Sequence, residues 1–154
     1  MPNEVFETWL HPIIKDHNSW PYYNIHSPHP SQQWNQYFGL YPLSDISNCL
    51  WHRIQLSFDM SCLDPLSTRT IDTLIQRHVH DLDTSSGLNI RNSRSRFFGF
   101  VELINNTGSL PAPIIGINTS DGLRILDGNH RLSALTYLGF RGRISCDTWV
   151  GGSQ

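Results

Sequence analysis

The sequence predicts an α/β (α+β) fold, a small mixed sheet with flanking helices, over residues 51–154. Three features carry this prediction: short segments that alternate polar and apolar residues, an apolar helical stripe after Asp64-Pro65, and an apolar strand that runs through Asp127-Gly128 directly into another helix. At 154 residues the chain is long enough for one domain with a real core and too short for two comfortable ones.

Residues 1–50 differ in composition from the rest of the chain. They contain six prolines, which exclude a long helix, and three tryptophans, which would expose a large apolar surface if the segment hung free in water. We therefore expect an aromatic, proline-rich N-terminal extension that packs on the domain behind it. Short helical pieces are predicted at Glu4–Leu10 and Ser31–Phe38.

The regular pattern begins after residue 50. Arg53–Phe58 alternates polar and apolar residues and predicts a short half-buried strand. Asp64 before Pro65 is typical of an N-cap followed by proline at the first helical position, and the helix should run to about His80 or Asp81.

The second half of the domain alternates helix and strand. Arg91–Arg96 is polar and basic and predicts a loop, and Phe97–Ile104 predicts either a second short helix or a strand, of which the helix is favoured. Strands at Pro113–Asn118 and Leu123–Leu126 flank a glycine-containing turn and predict a hairpin. The remaining predicted elements are a helix from Asn129 to Leu138 that Gly139 ends, and a closing strand at Arg143–Val150.

The junction Asp127-Gly128-Asn129-His130-Arg131 is the candidate site. A strand that leads directly into a helix gathers unpaired backbone N–H groups and the positive end of the helix dipole, which together attract an anion. Gly128 lets the backbone approach a phosphate, and Arg131 has the fork geometry for phosphate oxygens. His130 is suited to proton transfer, and Asp127 to Mg²⁺ or to activating a hydroxyl as a base.

A purely structural interpretation of the same residues stays open from spacing alone. Asp127 is then an N-cap, Gly128 a tight turn, and the two residues after Asn129 a solvated helix face.

A resemblance favours the functional interpretation. Pro111–Ile115, then Leu126–Leu135 with its Gly-x-His-Arg box, then Gly139-Phe140 resemble the ParB/sulfiredoxin superfamily, and Leu63-Asp64-Pro65 at the start of a helix resembles sulfiredoxin. The resemblance covers about residues 54–150. It implies that the box and the first helix bind the phosphates of ATP, ADP or CTP.

The resemblance also implies individual roles. The implied phosphate- or nucleotide-binding residues are Gly128, Asn129, His130 and Arg131 in the box and Ser67, Arg69 and Thr70 on the first helix. The free-serine kinases of the superfamily use a separate glutamate, for which Glu102, the only glutamate within residues 54–150, is the candidate. Sulfiredoxins carry their catalytic cysteine where this chain has Asn129, so sulfinic-acid reduction is not expected.

The composition limits the classes of partner that the protein is expected to bind. A net charge of −2 and a sequence pI of about 6.4 do not favour DNA, although DNA remains possible through a local patch such as Arg91, Arg94 and Arg96 with the two phenylalanines that follow. The same patch could bind a substrate's phosphates, and a solvated loop is the plainer interpretation of it. Three cysteines without metal-site spacing, the lack of a signal-like N-terminus and the lack of a long apolar run predict a cytoplasmic protein that does not enter a membrane. The pair His78 and His80 lacks the spacing for a metal site on a helix.

Two functions follow as hypotheses. The first is a nucleotide-dependent phosphotransferase or nucleotide hydrolase, which uses Mg²⁺ with ATP, ADP or CTP and an unknown small-molecule or protein acceptor; Asp127, His130 and Glu102 would be catalytic. The alternative is a nucleotide-gated binding module, or a ParB-like nuclease, that acts with DNA or a protein partner in plasmid partition or conjugation control.

Overall fold

The computed structural model describes residues 1–10, 46, 48–80, 90–139 and 144–152, with the backbone alone for residues 90–92. The chain divides into two compact units. The larger unit is Arg53–Val150, and the smaller one comprises Met1–His52 with Gly151–Gln154.

The smaller unit begins with a short helix. Helix α1 (Asn3–Val5) continues as a π-helix (Phe6–Leu10), and Trp9 in this helix is only 3% exposed. The helical piece expected at Glu4–Leu10 is therefore confirmed. The piece expected at Ser31–Phe38 lies outside the described residues, and the packing of residues 1–50 on the domain stays a prediction.

Helices and a four-stranded mixed sheet make a small α+β fold, which confirms the class expected from the sequence. The sheet order is β1–β4–β2–β3. The strands are β1 (Leu50–Ser57), β2 (Ile114–Thr119), β3 (Gly122–Asp127) and β4 (Ser145–Gly152). β1 lies at an edge of the sheet and most of its side chains are exposed, so alternation overestimated its burial; Phe58, just beyond the strand, is the buried residue.

The expected hairpin is confirmed as β2 and β3, which pair antiparallel. Thr119 Oγ1 donates a hydrogen bond to the carbonyl of Gly122 across the turn. Gly122 has a φ of +128°, and a Cβ there would lie 2.8 Å from the backbone carbon of Leu63. Only glycine fits this conformation and this close approach.

Helix α2 (Pro65–Val79) begins and ends close to where the sequence predicts. The Asp64 carboxylate caps it by accepting a hydrogen bond from the Ser67 N–H (2.8 Å), and Pro65 occupies the first turn. Asp64 is fully buried, forms an ion pair with Arg124 of β3, and donates its own N–H to the carbonyl of Leu123 (3.0 Å). The start of α2 is thus fixed to β3.

Helix α3 (Ile90–Thr107) includes the segment Arg91–Arg96, so the expectation of a loop there is wrong. The six polar residues show no apolar period of their own. They continue a helix whose buried side is set by Phe97 and Ile104, both 0% exposed, and arginine itself is a good helix former. The helical prediction for Phe97–Ile104 is confirmed.

Helix α4 (Asn129–Tyr137) packs between the other elements of the core. It contacts both α2 and α3, and Leu132, Ala134 and Leu135 are completely buried. Leu138 ends it, and Gly139 follows with a φ of +71°, as expected for a helix stop. Among the described helices, none combines the length and apolar character needed to cross a membrane.

Candidate functional site

The junction between β3 and α4 is built on Gly128. This residue is the N-cap of α4 in a left-handed conformation, with a φ of +107°, and no side chain caps the helix within the described residues. A Cβ at this position would lie 2.5 Å from Ile114 Cδ1. Glycine is therefore required both by the backbone angle and by the packing beneath it. The N–H of Leu132 is the first in α4 to bond within the helix, to the carbonyl of Gly128, and the N–H groups before it form the free helix end.

The side chain of Arg131 is buried beneath this turn. It is 6% exposed, donates from Nη2 to Asp127 Oδ2 (2.6 Å) and from Nη1 to the carbonyl of Pro113 (2.9 Å). Burial raises the pKa of Asp127, while the charge of Arg131 and the N–H of Gly128 offset part of that rise. Arg131 thus joins the end of β3 to the start of β2 through charge-assisted hydrogen bonds.

Asn129, the first residue of α4, has two oxygen atoms in different surroundings. Its backbone carbonyl accepts a hydrogen bond from Ser133 Oγ (2.7 Å), which is ordinary within a helix. Its side-chain Oδ1 is buried and has no hydrogen-bond partner among the described residues. Buried polar atoms are normally paired, so this side chain at a helix start is a candidate ligand contact once it turns toward the surface.

Next to Asn129, His130 belongs to a cluster drawn from three helices. Ser93 Oγ on α3 lies 2.8 Å from Nε2 of His130 and 2.9 Å from Nε2 of His78, which is on α2. The two imidazole rings stack, with their centroids 6.1 Å apart. Burial lowers the pKa of His130 to about 4, and the nearby charge of Arg96 adds to the effect. His130 is therefore neutral near pH 7 and able to accept a proton.

Arg96 supplies positive charge to the same end of α4. It is exposed on α3, and its charge lowers the pKa values of both Asp127 and His130, so its field reaches both side chains. Arg94, two residues earlier on the same helix, has its guanidinium 5.8 Å from the ring centre of Phe98. Residues two apart point to different sides of a helix, so only one of these two arginines is associated with the α4 terminus.

The predicted residues of the first helix lie in other surroundings. Ser67 is 2% exposed, and its Oγ accepts the N–H of Ile125 (2.8 Å), while Thr70 Oγ1 donates to the carbonyl of Leu66 (2.8 Å). Both hydroxyls therefore have partners inside the fold. Arg69 is exposed and lines a groove of about 640 Å³ along α2. Other groove residues are Asp72, Gln76, Arg77 and Asp121.

The predicted acidic residues do not converge. Glu102 is exposed on α3, nine residues beyond Ser93, which is about 13 Å along a helix axis. No group of three or more His, Cys, Asp or Glu side chains suited to a metal ion occurs in the described part of the chain. Arg131 and the N–H of Gly128 both donate to the carboxylate of Asp127. Mg²⁺ often takes one or two carboxylates together with substrate phosphates. Asp127 as a Mg²⁺ ligand stays a prediction.

Two residues of this region, His78 and Ser93, are absent from the predicted site, because the sequence offers His78 only with His80 as a metal pair and Ser93 only as part of a loop. Arg96 belongs to the basic patch that the sequence offers for nucleic acid or phosphate. The signal for the serine is helical spacing: Ser93 is four residues before Phe97, which is on the buried side of α3. That spacing is visible only once Arg91–Arg96 is assigned to a helix.

Comparison with known proteins does not assign the chain to a family. No family model, no curated protein and no solved structure matches the chain.

Proposed function

We propose that this chain binds a nucleotide through its phosphate groups at the N-terminus of α4 and transfers or hydrolyses the terminal phosphate. One observation carries the proposal: α4 starts at a left-handed Gly128, which has no side chain to cap the helix, so the N–H groups of its first turn receive no acceptor from the N-cap residue. Phosphate oxygens are well suited to such a helix end because the N–H groups and the helix dipole both favour negative charge.

The side chains around this end support an anionic ligand. Arg96 adds a positive field there and is exposed, so its guanidinium is available to a phosphate in solution. Arg131 acts differently in this proposal. Because its donors bond to Asp127 and to the carbonyl of Pro113, it positions the turn, and the phosphate is bound by the backbone N–H groups of the first turn of α4 and by Arg96.

A nucleotide suits the site better than free phosphate. The buried Oδ1 of Asn129 needs a hydrogen-bond donor, whereas the helix N–H groups need acceptors. Phosphate oxygens are acceptors, and ribose hydroxyls are donors. A nucleoside triphosphate such as ATP or CTP brings both kinds of group to one end of the helix.

His130 supports chemistry beyond binding. It is neutral at physiological pH because burial and Arg96 lower its pKa to about 4, and it lies in the first turn of α4. A neutral imidazole beside a bound phosphate can remove the proton of an attacking hydroxyl or water. The negative charge of a bound phosphate raises the pKa of a neighbouring histidine and makes it a stronger base, and we therefore propose a phosphotransferase or a hydrolase.

Titration calorimetry and phosphate release, each with and without Mg²⁺, test the proposal on the full chain. ATP, ADP, CTP and inorganic triphosphate are the probes, and we expect the nucleoside triphosphates to bind more tightly than inorganic triphosphate. Arg96→Gln should weaken nucleotide binding by about 10-fold to 100-fold, since one charge-assisted hydrogen bond is worth about 1.5–3 kcal/mol. Arg94→Gln is the matched control, because it removes the same charge from the same helix at a position whose charge acts on His78 and not on Asp127 or His130.

The outcomes separate the functional classes. Equal losses of affinity in the two arginine variants would mean that net charge, and not the α4 terminus, attracts the ligand. Tight binding without phosphate release would favour the nucleotide-gated binding module over the enzyme. No binding of any of the four probes would contradict the proposal.

A further inference from the structure

The cluster of His78, Ser93 and His130 has a defined hydrogen-bond direction. Ser93 Oγ lies within hydrogen-bond distance of Nε2 on both histidines, at 2.9 Å and 2.8 Å. A hydroxyl has one proton, so it donates to one imidazole and accepts from the other when both rings are neutral. The direction therefore depends on which histidine carries its proton on Nε2.

The buried atom Nδ1 of His78 decides between the two directions. His78 is 0% exposed, and this Nδ1 has no hydrogen-bond partner within the part of the chain that the structure describes. A proton on Nδ1 would be a buried donor without an acceptor, which is costly, whereas a proton on Nε2 is satisfied at once by Ser93. His78 thus donates to Ser93 Oγ, and the Ser93 hydroxyl donates to Nε2 of His130.

The charges around the cluster keep both rings neutral. Burial lowers the pKa of His78, with Arg77 and Arg94 adding to the effect. Burial also lowers the pKa of His130, and Arg96 and His78 contribute. With both rings neutral, Nε2 of His130 has a free lone pair directed at the serine proton, which is the arrangement of a nucleophile with its base.

The position of the cluster gives this pair access to a substrate. Ser93 is partly exposed, and its base His130 belongs to the first turn of α4, where the phosphate is proposed to bind. This hydroxyl is hydrogen-bonded to a side chain of that turn, and in this proposal the ligand of the turn extends to it.

We propose that Ser93 is the nucleophile of this site, with His130 as its general base and His78 as a positioning residue that orients the serine hydroxyl. This inference rests on the proposed function, because the electrophile is the terminal phosphorus of the bound nucleoside triphosphate. The proton of Ser93 Oγ moves to Nε2 of His130 as the Oγ–P bond forms. The P–O bond to the nucleoside diphosphate breaks, and the diphosphate leaves with its bonding electrons.

The second half-reaction regenerates the enzyme. A water molecule or an acceptor hydroxyl attacks the phosphoserine, the P–Oγ bond breaks, and the Ser93 oxygen regains a proton from His130. The products are inorganic phosphate or a phosphorylated acceptor, and the attacking oxygen loses its proton to His130 or to solvent. No oxidant or reductant is needed.

Two measurements on the full chain test the inference separately from nucleotide binding. The first is peptide mass spectrometry after incubation with ATP or CTP, which should find one phosphoryl group on Ser93. The second uses a fluorophosphonate probe, which reports an activated serine without a nucleotide: Oγ forms a bond to phosphorus and fluoride leaves. Ser93→Ala should abolish both signals, while Ser95→Ala, at an exposed position on the same helix, should retain both.

The same substitution at the two histidines provides a sharper test. A glutamine amide donates from Nε2 but has no lone pair there to accept a proton. His78→Gln can still donate to Ser93 Oγ and should therefore slow labelling much less than His130→Gln, which should slow it by about 100-fold or more. Circular dichroism would verify that each variant is folded.

Each result has a definite meaning. Nucleotide binding without probe labelling or phosphoserine at Ser93 would overturn this inference and leave the proposed function intact. Probe labelling of Ser93 without nucleotide binding would support the activated serine and contradict the proposed function. Equal labelling of the two glutamine variants would overturn the assignment of His130 as the base.

Discussion

Replacing Arg131 by methionine separates two roles that this residue could have. Methionine keeps much of the length and apolar volume of the side chain and removes its charge and donors. If Arg131 binds a phosphate, as the superfamily resemblance implies, the variant loses ligand affinity and keeps its stability. If Arg131 joins β2 to β3, as its two hydrogen bonds indicate, the free protein itself loses stability.

The size of the loss follows from the contacts. Arg131 is 6% exposed and donates to a carboxylate and to a carbonyl, and hydrogen bonds of a charged donor contribute about 1.5–3 kcal/mol each. The Asp127 side chain is 36% exposed, so water recovers part of its lost partner. We therefore expect a loss of about 3 kcal/mol in the free energy of unfolding, a large share of the roughly 5–15 kcal/mol typical of a domain.

Urea unfolding followed by far-ultraviolet circular dichroism measures this loss. Arg69→Met, at an exposed position on α2, is the control and should change the free energy by no more than about 0.5 kcal/mol. Adding Asp127→Asn to the Arg131 variant should recover about 1 kcal/mol, because it removes the carboxylate that was left without its partner. A loss below about 1 kcal/mol in Arg131→Met would refute the structural role.

Two further predictions concern the backbone at the junction and the histidine cluster. Gly128→Ala should lower the free energy of unfolding by about 2 kcal/mol or more, since a Cβ would lie 2.5 Å from Ile114 Cδ1 at a φ of +107°. Gly99→Ala, in the middle of α3 with nothing within 4 Å of the added Cβ, should raise the free energy of unfolding by about 0.5–1 kcal/mol. Thermal denaturation of both variants would contradict this reasoning if the two shifts in melting temperature had the same sign. The pKa of His130 falls from 6.5 to about 4 on folding, so the unfolded chain binds more protons between these values and stability should decline as pH falls from about 6.5 to about 4, by about 3 kcal/mol at most from this residue. The pKa of His78 shifts in the same direction. Urea midpoints across that pH range should decline less steeply in His130→Gln than in the unsubstituted protein. An unchanged slope would count against a neutral buried His130.

Local sequence signals predicted the parts of the fold that local chemistry determines. The Asp64-Pro65 start of α2 and the Gly122 turn of the hairpin both depend on residues within a few positions of each other. Each has a specific stereochemical cause, an N-cap in the first case and a required positive φ in the second. Such features need no knowledge of the tertiary structure.

The errors came where tertiary packing overrides local composition. Arg91–Arg96 has no apolar residue, so nothing within it indicates a helix, yet the buried side of Phe97 and Ile104 fixes the whole of α3. Arg131 has a similar explanation. The sequence correctly locates it in the first turn of α4, but the direction of its guanidinium depends on the carbonyl of Pro113, which is distant in sequence and adjacent in space.

The distribution of polar groups along α4 has a functional meaning. A nine-residue helix that buries Arg131, Ser133 and Thr136 is a poor choice for stability alone, since each buried polar group costs free energy unless it is hydrogen-bonded. Toward the C-terminal end these groups have partners: Ser133 Oγ donates to the carbonyl of Asn129, and Thr136 Oγ1 lies 3.8 Å from the sulfur of Met60.

At the N-terminal end, by contrast, polar atoms remain without partners in the described structure. Two such atoms are buried: Asn129 Oδ1 on α4 and His78 Nδ1. His78 is linked to His130 of α4 through the hydroxyl of Ser93. Satisfied groups stabilise the helix, and unsatisfied ones raise the free energy of the unliganded protein. A ligand that donates to Asn129 and accepts from the first turn of α4 recovers part of that free energy only when it binds there. Binding should therefore raise the melting temperature of the protein more with a ribose-bearing triphosphate than with inorganic triphosphate at the same concentration.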